Sequence, residues 1–147
     1  MITGDAIAKL IPHQGAMCLL DTIVRWDRET IVCESARHRA PDNPLRAHGR
    51  LSVLHAIEFA AQAMAAHQRL TGEHPTAPRC GLLISVRQCT FARERLDDCA
   101  SPLVIETSRI ASTADALTYR FAVAAAGEPV ADGRASVMLV EEAVGKL

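Results

Sequence analysis

One stretch of this chain constrains its fold more than any other, because it is apolar around nearly the whole circumference of a helix. Across residues 53–66 only three of fourteen positions are polar: His55, Glu58 and Gln62. Ser52 stands ready to cap the start and Gly72 to end it, so the pattern predicts one long helix over 51–71. A helix of some 20 residues is a rod of about 30 Å. Apolar on nearly every side, it has to be enclosed by other elements rather than lie on a surface.

The rest of the chain supplies the enclosure. Residues 5–11 carry a short helical face that Pro12 ends. Residues 17–26 read as a strand, Asp27 and Arg28 as a turn, and 30–36 as the returning strand. Two prolines with Asn43, Asp42 and Gly49 make 39–50 an irregular loop. Beyond the helix, 81–91 and 103–111 are mixed strands joined by a polar connection, 93–101. Leu117, Tyr119, Phe121 and Val123 alternate with Thr118, Arg120, Ala122 and Ala124, the period of a strand with one face buried. A turn at Gly127, Glu128 and Pro129 leads into a last alternating strand, 134–140. Short connections favour antiparallel pairing. The expectation is an α+β chain in which a six-stranded antiparallel sheet wraps a long central helix.

At 147 residues the chain fits one domain on a scale of roughly 100–200 residues per domain. Sixteen Lys and Arg against seventeen Asp and Glu leave a net charge of −1, which argues against a nucleic-acid partner. Hydrophobic residues make up 49% and no apolar run approaches the ~18 residues of a membrane span. No basic segment followed by an apolar one opens the chain, so no export signal is read. Five cysteines without a CxxC pair suit reduced thiols, and the expected compartment is the cytoplasm.

Candidate chemistry gathers on the long helix. His55, Glu58 and Gln62, spaced i, i+3 and i+7, point from one side of it. Two readings are open. One is a hydrogen-bonded seam, such as a dimer contact; the other is a catalytic carboxyl whose pKa desolvation raises toward working pH. His48, ten residues before Glu58 in the loop, is a titratable neighbour. The amides of Val53 and Leu54 in the first helical turn are candidate donors to a developing oxyanion. His13 and His38 stand alone, and His67 and His74 sit in polar surroundings near the helix end. No HExxH motif, Cys/His cluster, glycine-rich phosphate loop or G-x-S-x-G elbow points to a metal, a nucleotide cofactor or a serine nucleophile.

Three stretches resemble one family. Residues 10–21 (LIPHQGAMCLLD) resemble the N-terminal PHR-x-P-x-LL-x-D segment of the hotdog-fold 3-hydroxyacyl-acyl carrier protein dehydratases. Residues 43–49 (NPLRAHG) with 57–65 (IEFAAQAMA) resemble their catalytic segment, and Phe91, Arg93 and Arg95 sit where those enzymes carry a basic strand end. The short loop reads most like the dehydratases of aryl-polyene gene clusters.

That resemblance implies a hotdog fold that dimerises edge to edge, with active sites at the interface. It implies His48 and Glu58 as catalytic base and acid, Gln62 as support for the acid, and the Val53 amide as the group that polarises the thioester carbonyl. Val53, His55 and Gln62 are then expected to hold substrate, an apolar tunnel to take the acyl chain, and Arg93 and Arg95 to dock an acidic carrier protein. No metal or organic cofactor is implied. The assembly is expected to be a homodimer or higher oligomer, or a heterodimer with a second dehydratase. A hotdog thioesterase and a catalytically weak partner subunit are the alternatives.

Overall fold

The first hairpin already shows the rule by which the sheet is built. In the computed structural model, which describes residues 1–11, 15–72 and 79–141, strands β2 (Thr22–Trp26) and β3 (Thr30–Ser35) pair antiparallel across a tight turn. Asp27 closes that turn by accepting from the amides of Glu29 and Thr30, each at 2.8 Å. After the helix come β4 (Arg79–Phe91), β5 (Leu103–Ser112), β6 (Ala116–Ala125) and β7 (Glu128–Glu141). A two-residue β1 (Ile2–Thr3) pairs with β2 and makes the sheet seven-stranded, one more than the alternation predicts. Two residues are too few to leave a periodic signal.

All pairs are antiparallel, in the order β1-β2-β3-β5-β6-β7-β4. Short connections alone do not predict this order, because β4 skips its sequence neighbours and closes the far edge against β7. Helix α2 (Ala56–Thr71) packs across β3, β5 and β6. Ala56, Ala60, Ala63 and Ala66 are fully buried, and their small side chains let Ile105, Tyr119, Phe121 and Val123 close against the helix. The sheet around this helix is a hotdog fold.

Four local expectations shift, two of them because a long-range bond outcompetes a local pattern. The helix is α-helical only from Ala56, after a 3-10 turn at Val53–His55. Residues 51–53 are instead tied sideways to the 94–97 loop: the amides of Leu51, Leu96 and Val53 bond Asp97 Oδ1, Leu51 O and Glu94 O at 2.9, 2.8 and 3.0 Å. Ser52 does cap, accepting from the Leu54 amide at 3.2 Å. The strand predicted from residue 17 begins only at Thr22. Gln62 reaches the segment before it, donating to Met17 O (2.6 Å) and accepting from the Leu19 amide (2.8 Å). The first helix spans only Asp5–Ala8, and the last turn falls at Ala126 and Gly127, both left-handed, which places Pro129 inside β7.

Gly72 ends α2 for a steric reason rather than by adopting a left-handed cap. Its φ is −67°, but a Cβ there would lie 2.9 Å from the carbonyl oxygen of Gln68. Among the described residues no helix is long and apolar enough to cross a membrane. Pro12, His13 and His74 lie outside the described residues.

Candidate active site

The first turn of α2 and the 3-10 turn before it bring together the two groups best placed for proton transfer. His55 Nδ1 lies 3.1 Å from Glu58 Oε2, the i, i+3 spacing having placed both side chains on one stripe. A carboxylate in a first helical turn is favoured by the helix dipole. Among the described residues of the single chain Glu58 is not enclosed. Its side chain is 45% exposed and that of His55 30%, and Ile57, Ala61 and Ala65 on the same stripe are half-buried.

His55 opens into a cleft of about 240 Å³, which Ala47, Arg50, Ser52, Glu94 and Arg95 also line. His48 stands at the edge of that cleft and outside its lining. Ala47 and Arg50 exchange amide–carbonyl bonds of 2.8 and 2.9 Å, leaving His48 (φ 53°) and Gly49 (φ 73°) as the two left-handed residues of a tight turn. His48 is therefore exposed at a loop tip. Among the described residues it makes no bond to Glu58, whose partner is His55.

Several other expected roles are corrected by existing partners. The Val53 amide, expected to polarise a carbonyl, donates to Glu94 O, and the Leu54 amide donates to Ser52 Oγ. Gln62 is 2% exposed and directs its carboxamide to Met17 and Leu19, so it braces the N-terminal segment instead of supporting Glu58 or touching substrate. Arg93 pairs with Asp98 at 2.8 Å, and Arg95 pairs with Asp97. The Arg95 guanidinium holds the Asp97 carboxyl well below the usual carboxylate range, so each arginine already has an aspartate beside it. The expected apolar tunnel does not show among the described residues of the single chain. Between α2 and the β4 edge lies a groove of only about 30 Å³, lined by Ala61, Ala65, Leu83, Leu117 and Val137 among others. That is room for about one water.

Two histidines read as peripheral are buried. His67 is fully buried, with Nδ1 2.8 Å from the Tyr119 hydroxyl and Nε2 2.8 Å from the Asp27 carbonyl. A carbonyl only accepts, so Nε2 carries the proton and Nδ1 accepts from Tyr119, which in turn accepts from Arg109 at 3.3 Å. Burial pushes the His67 pKa down and the Tyr119 pKa up. His38, also buried, bonds Cys99 O through Nε2 at 3.0 Å, and burial lowers its pKa too. No local pattern marks either position, because each depends on strands distant in sequence.

Comparison with known proteins bears on this geometry. A family model described as ApeP dehydratase (ApeP-like) matches residues 5–145. Among solved structures, a chain of the dehydratase heterocomplex ApeI:P from Xenorhabdus doucetiae superposes with a TM-score of 0.77 at 20% identity, over 91% of this chain and 90% of that one. Thioesterase HI1161 from Haemophilus influenzae gives 0.69 at 9% identity, over 100% and 96%. The PaaI protein of the E. coli phenylacetic acid degradation operon gives 0.63 at 16%, over 91% and 88%. At these identities the structural likenesses show the fold, which dehydratases and thioesterases share. No curated protein matches the sequence.

Proposed function

The chain belongs to the ApeP-like dehydratase family, and from that premise we propose that Glu58 is the carboxyl through which it removes water from a 3-hydroxyacyl thioester carried by an acyl carrier protein. It is a hotdog dehydratase of the aryl-polyene kind. The observation that carries the role of Glu58 is its placement: a carboxyl on the uncovered stripe of α2, oriented by His55 at 3.1 Å. In the reaction a base takes a proton from C2, the C3–O bond breaks, and a C2=C3 double bond forms. Glu58 gives its proton to the departing hydroxyl, which leaves as water. His48 is the proposed base, and proton exchange with solvent resets the pair.

Among the described residues of the lone chain no bond joins His48 to Glu58, and the proposal assigns the rest of the site to a second subunit. Beside the Glu58 stripe runs β4, an edge strand with Leu82, Leu83 and Ile84 exposed by 52, 40 and 52%. A long apolar edge is a pairing surface. A partner strand there would cover the stripe, close the groove into a channel and surround Glu58. The partner is a second copy or, as in the heterocomplex from Xenorhabdus doucetiae, another dehydratase chain.

The test is Glu58→Gln, which keeps shape and hydrogen bonding but removes the transferable proton. The variant should fold and assemble normally while enoyl-thioester formation falls by about 10²–10⁴. Full turnover in the variant, or release of free acid from wild type in place of enoyl product, would overturn the reading.

A further inference from the structure

On the face of the sheet opposite α2, three arginines meet in register. Arg120 of β6 is directly across from Arg134 of β7, and Arg134 is directly across from Arg87 of β4. Residues paired this way have Cβ atoms about 4.5–5.5 Å apart, and like charges so placed repel. Arg37, Arg93 and Arg95 each have an aspartate, whereas among the described residues the guanidinium groups of these three have no ion pair or hydrogen-bonding partner. All three are exposed.

The ground between them is concave and polar. A depression of about 340 Å³ is lined by Arg87, Arg134, Gln88, Ser85, Thr118 and Ser136. A second, of about 210 Å³, adjoins it, shares Arg134 and Gln88, and includes Arg120 and Asp132. Gln88 occupies the left-handed region (φ 55°) inside a strand, where the β4–β7 register slips between Arg87 and Thr90. A non-glycine residue held there is strained, as residues at ligand sites often are. Asp132 makes the second depression the less favourable one for an anion.

We propose that the first depression binds the phosphate monoester of a small molecule. Guanidinium groups match phosphate oxygens two at a time. Arg87 and Arg134 flank the space from adjacent strands, and Arg120 adds a third positive charge beside Arg134. Ser85, Thr118 and Ser136 supply hydroxyl groups at the floor; Thr118 and Ser136 are 3.4 Å apart, one hydroxyl donating to the other. A single carboxylate needs one guanidinium, whereas a dianion with three free oxygens uses both Arg87 and Arg134 in the field of Arg120. Binding would replace the repulsion by bridging bonds.

The experiment titrates the full-length protein with inorganic phosphate and, separately, with coenzyme A, whose 3′-phosphate is such a monoester, following heat and melting temperature at constant ionic strength against chloride. Both probes should bind saturably and raise the melting temperature. Arg134→Gln and Arg87→Gln should each weaken binding roughly tenfold or more. Glu58→Gln should bind as wild type does, which separates this site from the dehydration chemistry. Binding of coenzyme A alone would place the contact on another part of that molecule and overturn the proposal. So would absence of saturable binding at millimolar concentrations. A third overturning result is Arg134→Gln raising stability while phosphate leaves wild type unmoved, which marks the row as repulsion or as a contact for an acidic protein.

Discussion

At His48 the backbone and the proposed chemistry make opposite demands, which makes the position useful. A left-handed conformation costs a non-glycine residue roughly 1–2 kcal/mol, and glycine there loses about 1 kcal/mol to its greater freedom in the unfolded chain. His48→Gly should therefore keep or slightly raise the melting temperature. Its dehydration rate should fall by about 10²–10⁴ if His48 is the base. Thermal melts and enoyl formation measured on one preparation separate the two effects, and a variant with undiminished turnover removes His48 from the reaction. Much of this was legible in the sequence: the His55, Glu58 and Gln62 stripe follows from helical spacing alone. Their division of labour was not. Nothing local says that Gln62 turns to Met17 and Leu19, because those atoms lie some 40 residues away.

At the scale of elements, α2 is held from both sides by side chains that replace main-chain pairing. Gln62→Leu leaves Met17 O and the Leu19 amide without their partner, at about 1–3 kcal/mol for each buried group. The melting temperature should drop while turnover per folded molecule stays level; a variant of normal stability that loses turnover returns Gln62 to the acid. Near the other end His67 is held neutral by burial, facing Arg109 through Tyr119, with the Asp27 carbonyl opposite. Its folded pKa lies below the ~6.5 of an unfolded histidine. As pH falls below that value the unfolded chain takes up a proton the folded chain refuses, so stability declines. His67→Gln should be less stable at neutral pH and show a flatter slope between about pH 6.5 and 5, read from urea unfolding at a series of pH values. His38 titrates in the same direction and leaves a residual slope. The long strands were legible because alternation is a local signal. The helix start and the start of β2 were not, since bonds from the 94–97 loop and from Gln62 decide them, and β1 is too short to alternate.

For the whole molecule the question is what covers β4. An apolar edge beside a half-exposed Glu58 describes half of a structure, and the protein should sediment and scatter light as at least a dimer of 15.9 kDa chains. Leu83→Lys places a charge on that edge and should shift the population toward monomer. Dehydration should fall with it although Glu58 is intact. A wild-type monomer at micromolar concentration with full activity would contradict both the interface and the shared site. The sequence suggested an enclosed helix; the position of β4 on the far side of the sheet is a matter of topology that no periodicity encodes.

That position also sets a schedule. β4 is synthesised directly after the helix, yet the strand it pairs with is the last one made: Phe91 waits for Ala131, and Arg79 for Glu141. Until β7 leaves the ribosome, β4 has no partner within its own chain, and Leu82, Leu83 and Ile84 travel with a bare hydrogen-bonding edge. Such long-range closure is slow and leaves apolar strand surface open to aggregation. Translation rate through the stretch after β4, and the presence of a partner chain made at the same time, should therefore govern how much soluble protein a cell recovers.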